Sequence, residues 1–285
     1  MLLWIGFRCR IDRAFAFGHT YALFLQPLRL VKRVPLVLFL RGDTLEKHRT
    51  TGRSNLLIHF ERCLEGFGIA GTRMYGVSAT LVKRISERHQ VLRPSICGVL
   101  RNDVPTGSAP ALDKEITLPL RTACVGILEH GKNQQLLLDV FKGISAEQAQ
   151  LYLYGTGPDE QLLRERATRE NLTDRVQFMG WVPSERIWPE VDLLLMPSLH
   201  EGAPNAVLEA LGYGIPVFAS DIPEHGEILP EQSLLPIDDV ARWRSRILFF
   251  VNEPEVRLRE FIEKQRTAAE ALWFDWEKKF VELIV

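Results

Sequence analysis

Two glutamates flank a proline–asparagine pair in the segment LLLMPSLHEGAPNAVLEALGYG, which covers residues 193–214. Glu201 stands four residues before Asn205, and Glu209 stands four residues after it. A carboxylate can accept hydrogen bonds from two neighbouring hydroxyls, such as the vicinal hydroxyls of a sugar. Either acid alone is more typical of a solvated surface charge, but the two together do not read as a chance arrangement.

The backbone between the two acids predicts an anion site. A buried strand is expected to end at Ser198, and a loop then leads to Pro204, which fits the first position of a helix because its missing N–H costs nothing there. The amides of Asn205 and Ala206 would follow and point out of the helix start. That end of a helix carries a partial positive charge and binds phosphates.

A glycine turn with a lysine stands upstream, in VGILEHGKNQQLLLDVF. Gly126 and Gly131-Lys132 have the spacing of a nucleotide-binding P-loop, but Asn133 stands where that motif needs Ser or Thr for magnesium. The segment is therefore not a P-loop, and its residues alone do not say what a lysine on a glycine turn between a strand and a helix binds. No Asp-x-Asp motif occurs in the sequence, so no metal site is predicted.

The composition is that of a globular protein with a real core. Hydrophobic residues make up 46% of the 285 residues and charged residues 25%, and a formal net charge of −1 gives no field that favours nucleic acid. Residues 1–41 are nevertheless basic, which fits either a solvated face or contact with anionic lipid heads. MLLWIGF is too short to span a membrane. The scattered cysteines predict a reducing cytosol, so we expect a cytoplasmic protein, in possible peripheral contact with the inner face of the membrane.

Short apolar runs alternate with helical spacing along the chain, which predicts an α/β fold with parallel sheets. Three runs are predicted as strands in the first part, and six in the second: PLVLFLRG, TRMYGVS and SICGVL, then TACVGIL, AQLYLYG, RVQFMG, VDLLLMPS, GIPVFAS and SLLPI. A Pro-, Gly- and Ser-rich stretch near residues 103–115 predicts a linker. Domains are therefore predicted at residues 1–108 and 109–285, and the spacing from Leu258 to Leu272 predicts one long amphipathic helix that closes the chain.

The second half of the chain closely resembles the family 4 glycosyltransferases. The resemblance rests on the segment from Glu201 to Ala210 and extends to VGILEHGK, YLYGTGPDEQLL, VQFMGWV, GIPVFASDIPEHGEIL and the tryptophan of FDWEKKF, so that it covers residues 120–285. It implies a GT-B fold, with two Rossmann-like domains. It also implies a retaining, metal-independent enzyme with no cofactor, which moves a hexosyl unit from a nucleotide-diphosphate sugar, UDP- or GDP-linked, to a glycan or lipid-linked acceptor.

The resemblance also implies a role for each matching residue. Glu201 would bind donor-sugar hydroxyls and Glu209 the ribose hydroxyls, and Lys132 would hold the diphosphate and stabilise it as it leaves, so that Glu201 and Lys132 are the predicted catalytic residues. The remaining donor-site residues would be Gly126 for close backbone approach, Val182 for the base, the loop residues Gly202 and Ala203, and the amides of Asn205 and Ala206 for the diphosphate.

Two departures from the family pattern leave alternatives open. Ile127 stands where the family commonly has a phosphate-binding arginine, and the N-terminal domain is expected to be incomplete because its usual opening strand and glycine-rich loop have no match in this sequence. The chain could therefore be a non-catalytic nucleotide-sugar-binding subunit that a partner chain completes, since an open sheet edge favours such pairing. A nucleotide-sugar epimerase is a further alternative.

Overall fold

The computed structural model describes residues 10–50, 52–102, 117–252, 255–272 and 275–284. The chain forms two compact units. The N-terminal unit comprises Met1–Asp103, Glu201–Ala203 and Phe274–Val285, and the C-terminal unit comprises Val104–His200 and Pro204–Trp273. The predicted linker and the domain boundary at residue 108 fall outside the described residues, so this division of the chain stays a prediction.

The N-terminal unit is built on a sheet of four parallel strands in the order β1-β2-β3-β4. The strands are β1 (Ala14–Phe17), β2 (Leu36–Leu40), β3 (Arg73–Gly76) and β4 (Ile96–Val99). The last three confirm the strands predicted in this region, whereas β1 was not predicted. Four helices connect the strands: α1 (His19–Lys32), α2 (Thr44–Thr50), α3 (Asn55–Ile69) and α4 (Ala79–Arg88).

The two faces of this sheet are covered differently. On one face, Leu36, Leu38 and Met74 pack with apolar residues of the helices. On the other face, Phe39 and Tyr75 stack with ring centroids 5.8 Å apart. The last helix of the chain contributes to this second face.

The C-terminal unit contains a six-stranded parallel sheet in the order β10-β9-β8-β5-β6-β7. Its strands are β5 (Leu120–Val125), β6 (Ala149–Tyr154), β7 (Val176–Gly180), β8 (Leu193–Met196), β9 (Val217–Ser220) and β10 (Leu234–Leu235). All six were predicted, and β8 ends two residues before the expected Ser198. Because β5 lies between β6 and β8, the strand order reverses there, and ligands of such sheets bind at this point beyond the carboxyl ends of the strands.

Helices connect the strands of the C-terminal unit, and two more follow its last strand. They are α5 (Gln134–Phe141), α6 (Glu160–Arg169), α7 (Ser184–Ile187), α8 (Asn205–Gly212), α9 (Pro223–Gly226), α10 (Val240–Asn252) and α11 (Glu255–Glu270). Two apolar cores form, one containing Phe141 and Trp243 and the other Trp188 and Val207. The α/β architecture of parallel sheets in two Rossmann-like domains, with four strands of the first sheet among the described residues, confirms the predicted fold class.

The end of the chain corrects one prediction. The prediction of a single closing helix is wrong, because α11 ends at Glu270 and a further helix, α12 (Trp276–Ile284), follows. Asp275 favours the new start, since its Oδ1 accepts a hydrogen bond from the Lys278 N–H at 2.8 Å. The helix α12 belongs to the N-terminal unit, where the Trp276 Nε1–H donates to the Arg101 carbonyl and the Phe280 ring lies 5.7 Å from that of Phe39. No helix among the described residues is long and apolar enough to cross a bilayer.

Candidate donor-binding site

The glycine turn after β5 approaches another backbone closely. Gly126 has φ +149° and its neighbour Gly155, after β6, has φ +122°. A β-carbon on Gly155 would lie 2.0 Å from the Gly126 carbonyl oxygen, which leaves no room for a side chain. The two turns therefore meet backbone to backbone at the strand ends. Glycines at such turns also let a ligand approach the main chain closely.

Lys132 lies against this turn. It ends a single 3₁₀ turn, His130–Lys132, and its N–H donates to the Glu129 carbonyl at 2.9 Å. A β-carbon on Gly126 would lie 3.7 Å from Lys132 Cε, so the lysine side chain runs back along the glycine turn. The structure thus brings together Gly126, predicted for close backbone approach, and Lys132, predicted for phosphate binding.

A cavity of about 410 Å³ opens beside this turn. Its lining comes from the ends of three neighbouring strands and from two helices: Val125, Gly126, Ile127, Tyr154, Gly155, Thr156, Trp181, Val182, Ser184, Ile187 and Glu209. Three predicted donor-site residues, Gly126, Val182 and Glu209, therefore share one cavity. The site is mainly apolar with a few polar groups, as is usual for small-molecule sites.

Glu209 is held in place by a short chain of hydrogen bonds. The Ser184 hydroxyl donates to Glu209 Oε2 at 2.5 Å, and the Trp188 Nε1–H donates to Ser184 Oγ at 2.8 Å. Trp188 is buried and cannot easily move. A half-buried carboxylate with a fixed orientation is suited to accept hydrogen bonds from a ribose.

The cavity also contains residues that the sequence reading did not identify. Trp181 is 76% exposed and Ile127 53% exposed, although both are large and apolar. Tyr154 lies deeper, and burial raises the pKa of its phenol, so the hydroxyl stays neutral. The sequence signal for Trp181 was its place directly after Gly180 at the end of a predicted strand.

The start of α8 differs by one residue from the prediction. The helix begins at Asn205, and Pro204 is its N-cap with ψ 77°, rather than its first helical residue. The Pro204 carbonyl accepts from the N–H groups of Val207 and Leu208 at 3.0 and 3.2 Å. Asn205 and Ala206 therefore form the first turn, as an anion-binding helix start requires.

The remaining predicted residues belong to the other unit. The N-terminal unit contains Glu201, Gly202 and Ala203. The C-terminal unit contains the other predicted site residues: Gly126, Lys132, Val182, Asn205, Ala206 and Glu209. Glu201 is buried, with 7% of its surface exposed. Its predicted contact with a donor sugar stays a prediction.

Solved structures share this fold over almost the whole chain. Anabaena Alr3699/HepE, solved in complex with UDP-glucose, matches with a TM-score of 0.77 and 17% identity, covering 96% of this chain and 77% of that one. The lipopolysaccharide outer core galactosyltransferase WaaB matches with a TM-score of 0.68 and 20% identity, covering 99% and 77%. The chain has the GT-B fold.

A family model matches part of the sequence. Residues 119–253 match the family model described as glycosyl transferases group 1. This segment of the chain therefore matches a group 1 glycosyl transferase domain, in agreement with the resemblance to the family 4 glycosyltransferases.

Curated relatives are named as glycosyltransferases or mannosyltransferases. The O-antigen chain mannosyltransferase B of Escherichia coli is 28% identical over 164 residues, which are 54% of this chain and 42% of that protein. The amylovoran biosynthesis glycosyltransferase AmsD of Erwinia amylovora is 29% identical over 104 residues, which are 35% and 29%. The chain thus spans less than half the length of these relatives.

Proposed function

We propose that the chain is a glycosyltransferase that moves a hexosyl unit from a nucleotide-diphosphate sugar to a glycan or lipid-linked acceptor. The observation that carries the proposal is the cavity at the strand ends, which contains Gly126, Val182 and Glu209 and has the side chain of Lys132 along its glycine turn. The relatives act in polysaccharide synthesis by name, which supports a glycan acceptor.

Each part of the donor has a group of matching chemistry. The base would lie between Trp181 and the backbone of Val182, and the ribose hydroxyls would donate to Glu209. The diphosphate would face Lys132 and the first turn of α8. Glu201 would accept from the hydroxyls of the sugar. UDP and GDP are the nucleotides we expect.

The proposed reaction retains the configuration of the sugar. The bond between the anomeric carbon and the diphosphate oxygen breaks, and the acceptor hydroxyl oxygen bonds to the same face of that carbon. The hydroxyl proton passes to the departing diphosphate. The positive charge of Lys132 and the helix start would stabilise the leaving group in place of a metal ion, and preorganised groups of this kind contribute about 3–4 kcal/mol each.

The experiment measures binding and turnover together. The purified chain is titrated with UDP, GDP and ADP and with their sugar conjugates, while slow hydrolysis of the conjugates is followed. Glu209→Ala should weaken binding of both the nucleotide and its conjugate, whereas Glu201→Ala should weaken binding of the conjugate alone. Glu185→Ala, at an exposed acid of α7, is the matched control. If both site variants bind like wild type, the site assignment is wrong.

A non-catalytic subunit is the second candidate, and the edge of the first sheet favours it. The strand β1 lies at that edge with no further neighbour among the described residues, and its Phe15 and Phe17 are 39% and 59% exposed. A partner chain that adds a strand there would satisfy the open backbone groups. Donor binding without hydrolysis, and without transfer in extracts that contain candidate acceptors, would support this candidate.

We also propose that the N-terminal unit contacts a membrane surface peripherally. The helix α1 exposes Tyr21, Phe24 and Val31 together with Lys32 and Arg33, and such a mixture of aromatic and basic groups suits an anionic bilayer surface. Flotation with phosphatidylglycerol vesicles should recover the chain, and Phe24→Ser should reduce the recovery. Equal recovery with phosphatidylcholine vesicles would contradict an electrostatic contribution. A cytoplasmic location stays a prediction.

A further inference from the structure

The ring of His200 lies directly on the backbone of the Lys132 turn. A β-carbon built on Gly131 would be 2.7 Å from His200 Cε1 and 3.2 Å from Nε2. Real β-carbons do not approach other atoms so closely, so the ring occupies the space that any side chain at residue 131 would need. Both residues belong to the C-terminal unit.

A hydrogen bond fixes the same contact from the neighbouring residue. The Leu199 N–H donates to the Gly131 carbonyl at 2.9 Å, which joins the loop after β8 to the turn after β5. His200 Nδ1 is buried and has no hydrogen-bond partner within the described part of the chain. The imidazole is therefore placed by packing on Gly131 rather than by a polar interaction at that nitrogen.

We propose that His200 is a positioning residue for Lys132, an inference that rests on the proposed function. Lys132 follows Gly131 directly and ends the same short turn. Any shift of the turn displaces the Lys132 ammonium relative to Gly126 and thus relative to the diphosphate. The His200 ring prevents that shift. Residue 131 must be a glycine because the ring fills the space that a side chain there would need.

A double-mutant cycle tests this coupling with Gly131→Ala, His200→Ala and the double variant. Gly131 is not among the glycines with positive φ, so the alanine introduces no backbone strain and acts only through its contact with the ring. Each single variant should weaken binding of UDP, or of GDP or ADP if wild type prefers it, by about tenfold, since one charge–phosphate contact is displaced. The double variant should bind no more weakly than His200→Ala. If the two effects simply multiply, the inference is overturned.

A nucleoside probe separates positioning from a structural role. Uridine, guanosine or adenosine lacks the phosphates, so its affinity should be unchanged in His200→Ala while that of the diphosphate falls. His200→Phe keeps a flat ring and should bind the diphosphate like wild type. This pair also decides the matter if Gly131→Ala does not fold. Equal losses for nucleoside and diphosphate, or no rescue by phenylalanine, would overturn the inference.

The Lys132→Ala variant separates the proposed function of the turn from the positioning role of His200. If it leaves diphosphate binding unchanged, the proposed function of the turn fails. If it weakens binding while His200→Ala and Gly131→Ala do not, only the positioning role of His200 fails.

Discussion

The hydroxyl of Ser184 lies 2.5 Å from Glu209 Oε2 and joins the carboxylate to the buried indole of Trp188. Ser184 and Glu209 are 25 residues apart in the sequence and lie on different helices. The contact orients the acid within the cavity before any ligand enters. An oriented carboxylate loses less conformational entropy when it binds, so the contact should affect affinity more than stability.

Ser184→Ala should weaken nucleotide binding without unfolding the protein. Loss of a hydrogen bond to a charged group costs about 1.5 kcal/mol or more, which is roughly tenfold in Kd. Isothermal titration with the preferred nucleoside diphosphate measures the change. Ser245→Ala removes an exposed hydroxyl on α10 and should leave Kd unaltered. A Ser184 variant with wild-type affinity would show that Glu209 does not need this partner.

The exposed indole of Trp181 should contribute stacking energy to the base. Trp181→Ala removes a surface worth about 1–3 kcal/mol per stacked base, whereas Trp181→Phe should preserve most of the affinity. Fluorescence quenching by the nucleotide, compared between wild type and Trp181→Phe, reports the contact directly. Leu162 is also an exposed apolar residue of this unit, at 50% exposure, and Leu162→Ala should bind normally. Unchanged binding by Trp181→Ala would place the base elsewhere.

The meeting of two glycine turns should make residue 155 intolerant of any side chain. Gly155→Ala combines a positive φ with a β-carbon 2.0 Å from the Gly126 carbonyl oxygen, and it should lower the free energy of unfolding by about 3 kcal/mol or more. Gly180→Ala is the control, because it has φ +66° but nothing within 4 Å of its β-carbon. That variant should lose only about 1–2 kcal/mol. Urea unfolding compares them, and equal losses would rule out the steric cause.

The sequence predicted the parts of the molecule that have a strong local signal. Buried parallel strands are continuous apolar runs, so all six strands of the second sheet could be predicted. The four residues of β1 alternate exposed Phe with less exposed Ala and are too few to give a clear pattern. The start of α12 was missed because the amphipathic spacing of the preceding residues dominated the pattern. Asp275, which caps this helix, is a single residue and gives only a weak signal.

The site divides in the same way. The segments that resemble family 4 glycosyltransferases predicted Gly126, Lys132 and Glu209 as site residues. Ser184 carried no signal, because its role depends on a contact between separate helices. The packing of His200 on Gly131 gave no sequence signal either, since the two positions lie far apart in the sequence. Tertiary contacts of this kind have no local pattern from which they could be predicted.

A buried charge cluster in the N-terminal unit should make stability depend on pH. The Arg88 guanidinium donates to Asp43 at 2.5 and 3.0 Å and to Glu65 at 2.9 Å, and His89 Nε2 lies 2.6 Å from the same glutamate. Burial alone would raise the pKa of Asp43, but the hydrogen bonds and charge of Arg88 lower it below its ordinary value. A lowered folded-state pKa contributes stability that is present above the unfolded pKa near 4 and is lost as pH falls through the folded value.

Arg88→Met should therefore destabilise the protein strongly at neutral pH and weakly in acid. Removal of one partner leaves buried charges uncompensated and costs about 3–5 kcal/mol, and protonation of Asp43 at low pH relieves part of that cost. Urea unfolding at pH 7 and pH 3.5 should show the difference between wild type and variant shrinking as the pH falls. Arg164→Met is the control, because its pair with Glu160 is half exposed and contributes at most about 0.5 kcal/mol. A difference that is the same at both pH values would mean that Arg88 stabilises the unit through packing rather than charge.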